Sequence, residues 1–199
     1  MAKAKKAVKR AKKTKRTQKT QKTRKTRKAA ALLIKGHVLV RDPEMIEDLD
    51  KRGYGEKDAD QLLLSPEEAM YLNEKRAEFP IEDYTGKKLT YRQLMGRFTR
   101  TDKEFSRKYL VFRDLRNRGY CVKTGFKFGS DYRLYARGDR PGRGHAMWLV
   151  HCVPENTTFG FSNLSRSVRL AQNVRKKMIY AVLDKEGDIT YYKIDRITP

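Results

Sequence analysis

The sequence predicts an α/β protein of the α+β kind, built from two domains and preceded by a basic tail. Helix start signals and short apolar, β-branched runs occur together along residues 29–199. They fall into two groups, separated by a polar stretch at residues 98–103. Helices and strands that are mixed in this way are expected to pack as layers around separate cores. We therefore predict a small mixed α/β domain at residues 29–100 and a second domain at residues 104–199.

Charge is concentrated at the beginning of the chain. Residues 1–28 contain 15 Lys or Arg and no Asp or Glu, whereas the remaining residues carry 32 basic and 24 acidic side chains. With so little apolar surface to bury, residues 1–28 are predicted to be disordered. A net charge of +23 favours a polyanionic partner. The tail is either a nonspecific RNA-binding arm or a solvated polycation.

Other features of the sequence limit the class of protein. We find neither the run of 18 apolar residues that a membrane span needs nor the apolar segment of a secretory signal, and we expect a cytoplasmic protein. Cys121 and Cys152 do not form a metal motif. They are interpreted as free thiols, with one disulfide as the alternative.

The first domain begins with apolar segments and clear helix caps. Residues 29–40 predict a strand pair with a turn at Gly36, and Leu62–Leu64 predicts a short buried strand. Asp42 and Ser65 each precede a proline, which is typical of an N-cap followed by the first helical residue. Thr90 is a third predicted N-cap.

The second domain is predicted in the order helix, three strands, helix, two strands. Its first helix starts near Glu104 and ends before Gly119, the residue type most common just after a helix. This order indicates a mixed sheet with a helix on each side. The predicted strands cover residues 120–123, 131–135, 145–153, 178–183 and 189–194, and the second helix covers residues 162–177.

Three polar residues of the second domain are candidates for catalysis. Tyr135 ends a predicted strand, His145 begins the next one, and Lys176 lies at the end of the second helix. Side chains alternate along a strand, so Tyr135 shares a face with Arg133 and is expected to face solvent or a cleft. A base, an acid and a fixed cation are the groups needed to break RNA through its own 2′-hydroxyl.

Each candidate also has an ordinary structural interpretation. Tyr135 by itself is a half-buried strand tyrosine, His145 a solvated residue at a strand end, and Lys176 a cation that stabilises a helix C-terminus. His151 lies deeper in the same predicted strand as His145, on the face of Leu149 and Val153, and is interpreted as a packing residue.

The joint spacing of these residues resembles the catalytic subunit of the archaeal tRNA-splicing endonuclease. The resemblance covers about residues 105–199, and Leu62–Ala69 is similar to the N-terminal domain of that family. It implies a restriction-endonuclease-like catalytic domain with Tyr135, His145 and Lys176 as its triad. It rests on the segments Phe128–Tyr135, the strand that starts at His145, Arg166–Lys177 and Asp188–Tyr192.

The resemblance implies metal-free chemistry without a cofactor. Tyr135 takes a proton from the 2′-hydroxyl, and His145 protonates the 5′-oxygen that leaves, a role suited to an imidazole. Lys176 stabilises the charge that develops on phosphorus and is expected to favour the ionised phenol. The products are a 2′,3′-cyclic phosphate and a 5′-hydroxyl.

The same resemblance implies a substrate and an assembly. The substrate is precursor tRNA with a bulge–helix–bulge at the intron boundaries, and Arg169 matches one of two arginines that stack on a bulged base. The second should come from the other active subunit; the sequence does not place it, and Arg196 is a guess. The chain is expected to form a homotetramer, a dimer of dimers, in which an acidic turn of one dimer docks on the other. That turn contains Asp184, Glu186 and Asp188.

Two other functions remain open from the sequence. The basic tail and high pI alone would suit a noncatalytic RNA-binding protein. A structural subunit that only builds the oligomer is the second alternative, and the intact triad argues against it.

Overall fold

The computed structural model describes residues 31–76 and 79–197, so the predicted disordered tail, residues 1–28, lies outside the described residues. Within them the chain forms two five-stranded mixed sheets and five α-helices. None of these helices is long and apolar enough to cross a membrane.

The first sheet has the strand order β3-β4-β2-β1-β5, in which only the β1–β5 pair is parallel. The predicted strand pair and the predicted strand at Leu62–Leu64 are confirmed, whereas the short strands β3 and β5 were not expected. The elements are β1 (Ala31–Ile34), β2 (His37–Val40), α1 (Pro43–Lys51), β3 (Glu56–Asp58), β4 (Gln61–Leu64), α2 (Pro66–Lys75), β5 (Ile81–Glu82) and α3 (Tyr91–Thr101).

The three predicted helix starts are confirmed by side-chain caps. The Asp42 carboxylate accepts the backbone N–H at the third residue of α1 at 2.9 Å. Ser65 and Glu68 form a reciprocal capping box at the start of α2, and Thr90 and Gln93 form another at the start of α3. Each cap satisfies N–H groups that a helix leaves without an intrahelical partner.

The second sheet has the order β10-β9-β8-β7-β6, and β8 pairs with β9 in parallel while the other pairs are antiparallel. This confirms the predicted mixed sheet and the predicted order of elements. The elements are α4 (Phe105–Asn117), β6 (Cys121–Thr124), a 3₁₀ turn (Phe126–Phe128), β7 (Tyr132–Tyr135), β8 (Trp148–Pro154), α5 (Phe161–Asn173), β9 (Lys177–Leu183) and β10 (Ile189–Ile194).

Helix α4 joins the cores of the two halves. Its first turns place Phe105 and Tyr109 in the core of the first sheet, and its later turns place Phe112 and Leu115 against the second sheet. Helix α5 covers the opposite face of the second sheet, with Val168 in the buried cluster. The second sheet therefore has one helix on each face, as the sequence predicts.

The polar stretch at residues 98–103 is not an extended link. Helix α3 continues through Thr101, and Phe98 is buried with its ring 5.1 Å from that of Phe105. Only residues 102–104 separate α3 from α4. The mostly polar side chains here form the exposed face of a helix whose other face is in the core.

Two predicted boundaries near the candidate residues are wrong. Strand β8 begins at Trp148, so His145 lies in the preceding loop and not at the start of the strand. Helix α5 ends at Asn173, so Lys176 lies beyond the helix and just before β9. A boundary error of a few residues is enough to move the side chains of His145 and Lys176 onto loops.

Candidate active site

Tyr135 is the last residue of β7 and is buried, with 5% of its surface exposed. It pairs with Cys121 of β6 and packs with that thiol and with Ala146 in a small buried cluster. The sequence placed Tyr135 on a solvent or cleft face because Arg133 shares that face. The structure shows that the loop after β7 folds back and covers the ring.

His145 is exposed and lies in the loop at residues 136–147, which connects β7 and β8. Its neighbour Ala146 is one of the residues that bury Tyr135. The loop therefore brings the backbone of His145 next to the tyrosine, although ten residues separate them in the sequence.

Lys176 is held by the end of helix α5. The Lys176 amide donates to the carbonyl of Ala171 at 2.8 Å, and the Arg175 amide donates to Gln172 at 2.9 Å. Arg175 has a φ of 54°, in the left-handed region. This is the Schellman arrangement that ends many helices. The half-buried Lys176 ammonium lies 5.4 Å from the centre of the Phe128 ring.

One residue links the three segments that carry the candidates. The Met147 amide donates to the Leu134 carbonyl at 2.9 Å, and the Met147 carbonyl accepts from the Lys177 amide at 2.9 Å. Tyr135 directly follows Leu134, His145 is two residues before Met147, and Lys176 directly precedes Lys177. The chain therefore places all three at the same end of the neighbouring strands β7, β8 and β9.

Burial controls the electrostatics of the tyrosine. Burial raises the pKa of Tyr135, the nearby Cys121 and Glu56 raise it further, and Arg133 opposes them. The Arg133 guanidinium lies 6.0 Å from the Tyr135 ring centre and 3.7 Å from a carboxylate oxygen of Glu56. The sequence predicted that Lys176 would favour the ionised phenol; among the groups that act on this pKa, the opposing cation is Arg133 instead.

Arg133 and its surroundings were missed by sequence reasoning. It served only to assign the face of Tyr135, yet its Nε is buried and has no hydrogen-bond partner among the described residues. Side chains alternate between the two faces of β7, so the sequence alone indicates that Arg133 lies on the same face as Tyr135. Nothing in the sequence indicates that Glu56 of β3 lies close enough to raise the pKa of Tyr135.

The remaining predicted residues lie at different distances from this end of the sheet. Arg169 is exposed on the last part of α5, close to the end that leads to Lys176. The acidic turn lies at the far end of the β9–β10 hairpin, one full strand length away. There Asp184 accepts the amides of Gly187 and Asp188 at 2.8 Å, so its carboxylate shapes the turn. Glu186 and Asp188 are exposed.

His151 is more than the packing residue that the sequence indicated. Its imidazole lies 3.8 Å from the Asp131 carboxylate and 5.4 Å from the Tyr180 ring. Burial alone would raise the pKa of Asp131, but His151, the Cys152 amide and Lys108 outweigh it and lower that pKa. This polar group lies along β8, away from the end that carries His145.

Both cysteines are free and buried, as the sequence indicated. Among residues 31–76 and 79–197, no three His, Cys, Asp or Glu side chains are grouped so that they could hold a metal ion.

Comparison with known proteins gives two family matches that cover most of the described chain. Residues 29–95 match the tRNA intron endonuclease, N-terminal domain, and residues 105–191 match the tRNA intron endonuclease, catalytic C-terminal domain. The second match includes all three candidate residues. Neither match includes residues 1–28.

Individual relatives are similar over nearly the same span. A tRNA-splicing endonuclease of Methanothermobacter thermautotrophicus is 45% identical over 150 residues, which is 75% of this chain and 85% of the relative. One from Thermococcus gammatolerans is 44% identical over 147 residues, 73% of this chain and 84% of the relative. One from Methanococcus vannielii is 37% identical over 164 residues, 82% of this chain and 92% of the relative.

Proposed function

Because the chain belongs to the tRNA intron endonuclease family and is an enzyme of that family, we propose that it cuts precursor tRNA at both boundaries of the intron. The observation that carries this proposal is the convergence of Tyr135, His145 and Lys176 at one end of three adjacent strands. These side chains supply a base, an acid and a fixed cation. Such a set suits RNA cleavage by an internal 2′-hydroxyl.

In the proposed reaction, the Tyr135 phenolate takes the proton of the 2′-hydroxyl next to the cleaved bond. The 2′-oxygen attacks the adjacent phosphorus, and the bond from phosphorus to the 5′-oxygen breaks. His145 gives its proton to that 5′-oxygen, and Lys176 stabilises the negative charge on the phosphorane. The products are a 2′,3′-cyclic phosphate and a 5′-hydroxyl, and the reaction needs neither a metal ion nor a cofactor.

The raised pKa of Tyr135 has a consequence for the rate of this reaction. Only molecules with an ionised phenol and a protonated imidazole react, so a higher pKa of the base lowers the reactive fraction. Arg133 opposes this effect because a nearby cation favours the phenolate. Bound RNA would also change the fractions of ionised phenol and protonated imidazole, since its phosphates bring negative charge close to Tyr135 and His145.

We propose a bulge–helix–bulge as the RNA structure that is recognised. Unpaired bulge bases can be turned outward and stacked on a guanidinium plane, and exposed Arg169 is well placed for this near the Lys176 end of α5. The backbone carbonyl of Arg196 accepts a hydrogen bond from the Gln172 side chain at 3.2 Å, which brings Arg196 beside the same end of α5. The second stacking arginine should come from the other active subunit, and we keep Arg196, as a residue of that subunit, as the candidate.

Cutting at two boundaries requires two copies of the site at a fixed separation, which favours an oligomer, and the resemblance to the family leads us to propose a homotetramer made of two dimers. Strand β10 is an edge of its sheet and is long enough to pair with a second copy of itself. The exposed Glu186 and Asp188 are the proposed docking groups for the opposite dimer, together with Asp184, which shapes the turn. We propose that this assembly acts in the cytoplasm.

The test is incubation of the full chain with an intron-containing precursor tRNA, followed by analysis of the fragment ends. We expect cleavage at both boundaries, cyclic phosphate ends and full activity in excess EDTA. His145→Ala should lower the single-turnover rate by about 10²- to 10⁴-fold with RNA binding retained. His37→Ala is the matched control because His37 is an exposed histidine of the first sheet.

Several outcomes would contradict the proposal. Equal rates for the wild type and His145→Ala would exclude His145 as the acid. Loss of cleavage in EDTA that a divalent ion restores would exclude a metal-free reaction. RNA binding without any cleavage would favour a noncatalytic RNA-binding protein or a structural subunit.

A further inference from the structure

The loop at residues 136–147 is attached to the first domain through Arg140. Its guanidinium donates from Nη1 to the Asp50 carbonyl, in the last turn of α1. Carbonyl groups in the last turn of a helix carry partial negative charge and attract a cation. Gly53, just after α1, has a φ of 73°, and a Cβ there would lie 3.2 Å from the Arg140 Cβ and 2.8 Å from the Cys121 sulfur. The first domain therefore fits closely against Arg140.

The same residue organises the loop on the side that leads to His145. The Arg140 carbonyl accepts the amides of Arg143 at 3.1 Å and Gly144 at 3.0 Å, which closes a turn directly before His145. The Asp139 side chain packs on Gly144 so closely that a Cβ at this glycine would lie 2.7 Å from its carboxyl carbon. A shift of Arg140 is therefore passed on to His145 through a short, tightly packed turn.

The need for such an anchor follows from the composition of the loop. Gly138, Gly142 and Gly144 fall within it, and glycine has a large conformational freedom that must be lost when the loop adopts one structure. An exposed loop of this kind opens easily unless side chains attach it to a rigid element.

We propose that Arg140 is a positioning residue, which holds the His145 loop against the end of α1 so that His145 stays at the strand end that carries Tyr135. This inference rests on the proposed function, in which His145 is the acid. The first domain thereby contributes to catalysis through the position of this loop and without touching the substrate at this point. A displacement of about 1 Å at a reacting group can lower a rate about 10²-fold.

The experiment compares Arg140→Ala with Arg143→Ala. The two arginines belong to the same loop and lose the same charge, but the exposed Arg143 side chain has no hydrogen bond or ion pair with any residue in 31–76 or 79–197. Single-turnover cleavage, the KM for precursor tRNA and amide hydrogen exchange are measured for both. Arg140→Lys is added because its ammonium can also donate to a carbonyl.

We expect Arg140→Ala to lower the single-turnover rate by about 10- to 100-fold with KM changed less than about threefold. Amide exchange at residues 142–147 should become faster, and Arg140→Lys should restore part of the rate. Arg143→Ala should keep the single-turnover rate and the slow exchange. A role limited to RNA binding would instead raise KM in both alanine variants.

Two results would overturn the proposal. One is an equal rise in KM for both variants with unchanged single-turnover rates, since the arginines would then only attract RNA. The other is unchanged amide exchange at residues 142–147 in Arg140→Ala, since the loop would then not depend on this anchor. The exchange measurement needs no substrate, so it tests the anchor even if the wild type fails to cut precursor tRNA.

Discussion

Breaking the buried ion pair between Lys123 and Glu68 should destabilise the protein strongly. The Lys123 ammonium lies 2.8 Å from the Glu68 carboxylate, and both side chains are 4% exposed. The pair joins strand β6 of the second domain to helix α2 of the first. Glu68 also accepts the amides of Ser65 at 3.0 Å and Gly55 at 3.1 Å, and Lys123 donates to the Gly55 carbonyl at 2.6 Å.

Lys123→Met keeps most of the side-chain volume but leaves the carboxylate buried without its cation. Removing one partner of a buried ion pair costs about 3–5 kcal/mol. For a protein of this size, about 2–4 °C of melting temperature is lost per kcal/mol, so we expect a decrease of about 6–20 °C. Urea unfolding followed by circular dichroism at neutral pH measures the free energy of unfolding directly.

The second substitution Glu68→Gln should restore more than half of the loss, because it removes the unpaired charge. Lys51→Met is the control: it breaks a pair with Glu47 whose side chains are 66% and 68% exposed, and should change stability by less than about 1 kcal/mol. If Lys123→Met also stays within about 1 kcal/mol of the wild type, the buried pair does not hold the domains together as argued.

Three further substitutions test particular contacts by urea unfolding. Gly55→Ala should destabilise by about 3 kcal/mol, because Gly55 has a φ of 68° and a Cβ there would lie 2.5 Å from Leu62 Cγ. Arg175→Gly should stabilise by about 0.5 kcal/mol, because glycine adopts the left-handed conformation of this helix end without strain. The lowered pKa of Asp131 gives stability that is present above about pH 4, its unfolded pKa, and is lost as pH falls towards its folded pKa. Asp131→Asn should weaken this acid dependence, and the loss of the charged acceptor of the Cys152 amide should cost about 2 kcal/mol at pH 7.

The sequence predicts those parts of the fold that local chemistry determines. Side-chain caps and proline placed the starts of α1, α2 and α3 because a cap acts within three residues of its own position. The end of α5 was predicted too late because Arg175 takes the left-handed position where glycine is usual, so the common stop signal is missing. The error matters, since Lys176 gains its position from this helix end and not from a helix face.

The start of β8 was misjudged for a different reason. Ala146, Met147 and Trp148 continue the apolar run, and apolarity alone cannot distinguish a strand from a loop that packs on the sheet. Met147 forms backbone hydrogen bonds with residues of both neighbouring strands, but 45% of its surface is exposed. It therefore lies at the end of the sheet and does not continue the buried strand. His145 therefore lies on a loop. That loop is attached by a hydrogen bond from Arg140 to the Asp50 carbonyl, and these two residues are 90 positions apart in the sequence.

The burial of Tyr135 shows why a candidate base is easier to find in a sequence than its proton affinity. Alternation along β7 correctly paired Tyr135 with Arg133 and therefore suggested an open face. The residues that act on Tyr135 come from elsewhere: Ala146 of the returning loop packs against it, and Glu56 of the first domain pairs with Arg133 and raises the pKa of Tyr135 through its charge. Since burial is the largest influence on the pKa of Tyr135, that pKa is set mainly by how the returning loop and β6 pack against the ring. A loosened loop would hydrate the phenol and lower its pKa while it releases His145, so the same packing that raises the pKa of the proposed base also fixes the loop of the proposed acid.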